Sequence, residues 1–356
     1  MRKILILLTI IVIMPLFTMI SYAEGEAEQY ISDFENLLPE GYEELGNSDQ
    51  LMESTTVKAL FSEILSAISG QAGRVVGFFM LLIGLVALCA LASRVNEKIA
   101  DATSLSVGII SSVLIFGHIR PLFDEISASL GDINGFFTSL IPLTAAVTAL
   151  GGGTATAAAQ ATAMYSTVAV GQSFFEQIFM TVASLGLAMS LICAFGGHID
   201  SLLRGIKGAF GWIMGVCTAI IAASFSLQTL IASSADSAAM RAAKYSAGLI
   251  PMVGGTVSGA LSTLAAGLSY AKGIIGAGSV AVILTMALSP LVLLLLYRLA
   301  LSLSLMLCDL LGASGMARTL SSYRFSLECL IAVYALSAVI YVFEILLFIK
   351  IGVAML

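Results

Sequence analysis

The sequence predicts an all-α polytopic integral membrane protein. It has about six transmembrane helices, two Gly/Pro-broken re-entrant segments and a small helical extracytoplasmic N-terminal region. Three observations carry this expectation. Of 356 residues, 59% are hydrophobic and 11% are charged, against about half apolar and about 25% charged in a soluble domain. Several apolar stretches approach the roughly 20 residues that a bilayer crossing needs. Charge is also segregated within the net −6: residues 24–74 hold eleven acidic residues against Lys58 and Arg74, whereas residues 75–356 are close to neutral. This balance excludes a soluble globular enzyme, a disordered regulator and a nucleic-acid-binding domain.

The chain opens on a targeting segment. Arg2 and Lys3 precede an apolar run from Ile4 to Ile20, and Ser21-Tyr22-Ala23 places small residues at the −3 and −1 positions of a cleavage site. Residues 1–23 read as a secretory signal peptide, with an uncleaved anchor as the alternative. Under either reading residues 24–74 lie outside the cytoplasm. Within them Tyr30, Ile31, Phe34, Leu37 and Leu38 recur at helical spacing, and Pro39-Glu40-Gly41 ends the run. Val57, Leu60, Phe61, Ile64, Leu65 and Ile68 form a second apolar stripe at i, i+3, i+4. Two acidic amphipathic helices are expected. They pack on each other, lie on the membrane or dock a protein partner, and their charge disfavours anionic lipid.

Residues 75–356 form the membrane domain. Clear spans are 75–92, 177–195, 209–232 and 327–349, with a shorter one over 104–119 and a long one over 277–308. Two further apolar stretches are broken. Pro142 and Gly151-Gly152-Gly153 interrupt 136–171, and Pro251 with Gly254-Gly255 interrupts 246–271. The basic residues of 93–103, 196–208 and 309–326 place those loops inside. Segment 120–135 then falls outside, with three acids and one base. This parity allows one net crossing in each broken region, so each broken stretch is expected to be re-entrant. Non-helical backbone survives at membrane depth only inside protein or beside a water-filled cavity. Pro142, Gly151, Gly152, Gly153, Pro251, Gly254 and Gly255 are therefore the candidate re-entrant or pore-lining residues.

Recognisable catalytic chemistry is sparse. The two histidines, His118 and His198, lie at span ends, and the five cysteines sit in or beside apolar spans without a C-x-x-C. Neither set points to a zinc site or a disulfide framework. Gly151-Gly152-Gly153-Thr154 lacks the lysine of a phosphate-binding loop. No catalytic, cofactor-binding or metal-binding residue is assigned. Charge within a span defaults to function, and Arg298 and Glu344 are the two candidates. They pair with one another, or else Arg298 snorkels and Glu344 reaches an interface. Gly73-x-x-x-Gly77, Gly211-x-x-x-Gly215 and Gly255-x-x-x-Gly259 are candidate close-packing pairs.

The most distinctive stretch follows residue 233. Arg241 and Lys244 lie about one helical turn apart, with Tyr245 adjacent, and form a candidate partner-contact face. An Arg-x-Ala-Lys-aromatic motif here leads into Ile-Pro-x-Val-Gly through Arg241, Ala243, Lys244, Tyr245, Ile250, Pro251, Val253 and Gly254. Together with the signal peptide and the acidic exported segment, this resembles the stage III sporulation protein AE family. Leu249 and Gly255 are the departures from the pattern. The resemblance implies a membrane protein of endospore-forming bacteria, held in the mother-cell membrane around the forespore. It implies membership of a multiprotein channel, the feeding tube, required for late forespore gene expression. It further implies partners that include ring-forming proteins and a secretion-type ATPase. The alternative reading is a self-sufficient secondary transporter of a small solute.

Overall fold

The computed structural model describes residues 28–40, 55–92, 97–150, 153–170 and 254–353, with scattered positions between 181 and 223. Among the described residues there are helices and short turns but no strand. We number the helices α1 (28–37), α2 (Thr55–Ala92), α3 (Glu97–Leu150), α4 (Thr154–Val170), α5 (Gly254–Leu311) and α6 (Ser314–Val353).

Two antiparallel hairpins build the bundle. In the first, α2 and α3 meet through the Arg74–Glu125 ion pair at 2.9 Å, the Phe78–His118 ring contact and the Cys89–Ser111 contact at 4.0 Å. In the second, α5 turns into α6 at Gly312. Gly312 takes φ of +73°, and the Ala313 N–H reaches back to the Cys308 carbonyl at 3.0 Å. This is a glycine helix stop that satisfies an otherwise orphaned carbonyl. Helix α3 runs parallel to α6, because Ser112, Ser129 and Asn134 meet Tyr323, Tyr334 and Tyr341 in the same order. It follows that α2 runs parallel to α5, where the Phe78 and Tyr297 rings stack at 4.8 Å. Residues 92 and 312 therefore share one end of the bundle.

The acidic arm is joined to this core in two ways. Phe34 is fully buried in the main apolar cluster, and Tyr30, Leu37 and Leu38 pack against that cluster. Helix α2 then runs without a break from the second amphipathic stripe into the apolar span, passing straight through residue 74.

Four described segments are long and apolar enough to cross a membrane: Ile68–Ala92, Ser106–Leu150, Ala266–Leu311 and Ser314–Lys350. Their outward faces carry large apolar side chains, such as Met80, Leu88, Val113, Leu299, Met306 and Val339. That is the surface lipid requires. The expected spans 177–195 and 209–232 fall mostly outside the described residues.

The segment expected outside, 120–135, is helical, as part of the 54-residue α3. There Leu122, Ile126, Leu130, Ile133, Phe137 and Leu140 form an unbroken buried stripe at helical spacing. Asp124 and Asp132 are carried on the exposed side. One feature differs from the sequence reading: the expected break at Pro142 is absent. Pro142 lies inside α3 on its exposed side. There the lost backbone bond faces outward, and the buried stripe continues beneath it.

Candidate functional site

A ladder of polar side chains runs through the apolar bundle between α3 and α6. Tyr323, Tyr334 and Tyr341 are separated by eleven and seven residues, about three and two helical turns, and so share one face of α6. All three are buried. The Tyr323 hydroxyl donates to the Ser112 carbonyl at 2.8 Å and lies 3.0 Å from the Ser112 hydroxyl. Tyr334 meets the Ser129 hydroxyl at 2.8 Å. Tyr341 donates to the Asn134 side-chain carbonyl. Ser112 and Asn134 stand about 33 Å apart along the helix axis, close to the roughly 30 Å of a hydrocarbon core. A polar group in such surroundings is costly without a partner. Each rung therefore holds α3 and α6 in one register.

Beyond the last rung lies Glu344, three residues after Tyr341 and almost completely buried. The Thr167 hydroxyl of α4 donates to its carboxylate at 2.7 Å. Helix α4 reaches that position by packing against the end of α3. Gly153 is buried, its N–H meets the Thr148 carbonyl at 3.3 Å, and its own carbonyl accepts from the Ala157 N–H at 2.7 Å. The α3–α4 interface carries polar side chains. The Thr148 hydroxyl donates to the Thr144 carbonyl at 2.8 Å and lies 3.4 Å from the Gln160 side-chain oxygen, and the Thr144 hydroxyl lies 3.5 Å from the Met164 sulfur.

Helix α5 contributes a buried cation to the same end of the bundle. Lys272 is 5% exposed, with its ammonium 5.1 Å from the centre of the Phe348 ring. Phe348 follows Glu344 by one turn. Gly276 lies one turn from Lys272, and a methyl group there would overlap the Ile349 side chain. The bare glycine is what lets α5 approach α6 closely enough to seat Lys272 over Phe348.

The sequence candidates distribute unevenly over this geometry. Glu344 is in the ladder's extension and does not reach an exposed interface. Arg298 pairs instead with Glu328, at 3.1 Å, and is half-exposed. Gly153 caps α4, and Gly254 and Gly255 are the first residues of α5. Gly151, Gly152, Arg241, Lys244, Tyr245 and Pro251 lie outside the described residues. A Cβ added at Gly73, Gly77, Gly211 or Gly215 would meet open space, so the described close approach is at Gly276. The three tyrosines and Lys272 were not singled out from sequence. The signals were a tyrosine recurrence at whole turns and a lone lysine within a long apolar stretch. Among the described residues, no group of three or more His, Cys, Asp or Glu side chains is arranged to hold a metal.

Comparison with known families gives a match to the family model described as Stage III sporulation protein AE, over residues 42–354. No curated protein and no solved structure matches the chain.

Proposed function

The chain belongs to the stage III sporulation protein AE family, and on that premise we propose that it is a non-enzymatic membrane subunit of the channel complex joining mother cell and forespore. The observation that carries the proposal is the family match over residues 42–354, nearly the whole chain. In this reading the protein sits in the mother-cell membrane around the forespore. Its acidic N-terminal region faces ring-forming partners outside the cytoplasm, and a secretion-type ATPase serves the complex from within. The polar ladder and the α3–α4 interface supply hydrogen-bonding groups inside an otherwise apolar bundle.

The test is a deletion strain rescued with the intact gene or with variants. Loss of late forespore gene expression in the deletion strain, restored by the intact gene, is expected. Partners cross-linked to the chain in sporulating cells should include the ring-forming proteins. Normal spores from the deletion strain would overturn the proposal.

A second reading is a self-sufficient secondary transporter. It is favoured by the buried Glu344 and Lys272, since charge inside membrane helices commonly marks a coupled pathway. Reconstitution of the purified chain alone separates the two readings. Gradient-driven solute uptake by the lone protein supports the transporter, and its absence supports the subunit.

A further inference from the structure

The bundle carries a charged cluster that the polar ladder does not use. Arg298 of α5 and Arg324 of α6 both bind one oxygen of Glu328. The Arg298 Nε lies at 3.1 Å and the Arg324 Nε at 3.0 Å. Two guanidiniums thus share one carboxylate, leaving a net charge of +1. The three side chains are 44%, 40% and 35% exposed, so the cluster opens outward. A guanidinium has five N–H donors, and one shared oxygen engages only a minority of them.

The surroundings of the cluster are apolar. On α5, Leu295, Leu299, Leu303, Met306 and Leu310 form an exposed stripe at helical spacing, and Arg298 stands at its edge. Tyr297, next to Arg298, stacks on Phe78 one turn after Arg74, so the cluster stands near the level of the exposed Arg74–Glu125 pair, at the end of the leucine stripe away from the Gly312 turn. Half-exposed charges at one end of an exposed apolar stripe are the arrangement of a membrane surface. Basic positions there attract anionic headgroups.

From this geometry we propose that Arg298 and Arg324 bind the phosphate of an anionic phospholipid whose acyl chains lie along the leucine stripe. Arginine suits this task because its planar fork matches phosphate oxygens bidentately. Glu328 holds the two guanidiniums side by side, and its charge limits how tightly the phosphate is held.

The full chain, purified in a neutral detergent, is titrated with phosphatidylglycerol, with phosphatidylcholine or with inorganic phosphate, and the thermal unfolding midpoint is followed. Phosphatidylglycerol is expected to raise the midpoint saturably, while the other two leave it unchanged. A basic side chain near an anionic membrane surface contributes about fivefold in affinity. The double variant R298Q/R324Q should therefore need roughly 25-fold more phosphatidylglycerol for the same shift. E328Q should need less than the native chain, because it removes the competing carboxylate. The opposite signs of the two variants separate a binding effect from damage to the fold, and E328Q alone decides if the double variant does not fold. An equal response to phosphatidylcholine, a response to inorganic phosphate alone, or unaltered titrations in both variants would overturn the proposal.

Discussion

Removing the Tyr323 hydroxyl tests whether the ladder fixes α3 on α6. Tyr323→Phe deletes two contacts at once, the bond to the Ser112 carbonyl at 2.8 Å and the contact with the Ser112 hydroxyl at 3.0 Å. Hydrogen bonds between membrane helices average about 0.6 kcal/mol and reach about 1.7. Two contacts then predict a loss of about 1.2 kcal/mol. Ser112→Ala removes the hydroxyl contact with Tyr323, worth about 0.6 kcal/mol. In the Tyr323→Phe background Ser112→Ala should cost about 0.6 kcal/mol less than in the native chain, because that contact is already gone. Its coupling energy is then about 0.6 kcal/mol. Reversible unfolding in mixed detergent micelles reads all four corners of this cycle. Tyr270, 59% exposed on α5, supplies the control, and Tyr270→Phe should leave stability unchanged. A native-like Tyr323→Phe, or a coupling near zero, would refute the ladder as the element that sets register.

Other substitutions test other parts of the structure. Gly276→Ala should cost about 1–3 kcal/mol by overpacking against Ile349, and Gly276→Leu should prevent α5 and α6 from pairing, read by cross-linking across the hairpin. Gly312→Ala places a Cβ at φ of +73° and should lower stability by about 1–2 kcal/mol in the same unfolding assay. Glu344→Gln keeps an acceptor for Thr167 and should remain close to native, while Glu344→Ala leaves the Thr167 hydroxyl without that acceptor and should cost about 1–3 kcal/mol. Arg241→Glu and Lys244→Glu should each block sporulation while the protein stays in the membrane fraction, and normal spore yields from both would remove them from the partner face.

Much of the fold is legible in the sequence because lipid-facing helices announce themselves by composition. The apolar runs 75–92 and 327–349 fall inside α2 and α6. The Tyr30, Phe34, Leu37 stripe packs inward, as an amphipathic helix must. Continuity was harder to read. The three acids in 120–135 say nothing of its form, whereas the apolar stripe from Leu122 to Leu140 is present at helical spacing. Proline misled for a related reason. Pro142 removes one donor, and on an exposed helix face this does not force a break. Partner choice was harder still. Arg298 and Glu344 were visible as charges, but only packing joins Arg298 to Glu328 and Glu344 to Thr167. Gly276 illustrates the same point from the other side. Its i±4 neighbours, Lys272 and Val280, give no small-x-x-x-small pair, and its role comes from Ile349, more than 70 residues away.

The unbroken course of α2 bears on how the arm and the bundle communicate. Thr55–Ala92 is a single rod about 57 Å long, with its first turns in the acidic region and its last beside the Gly312 turn. No flexible joint separates the two ends. A load applied to the arm is therefore not absorbed by slack in a linker. It tilts or rotates the rod, and the first aromatic contacts it disturbs are those of Phe78 with His118 and Tyr297. The arm is better regarded as the handle of a lever whose fulcrum lies within the bundle than as a tethered flag.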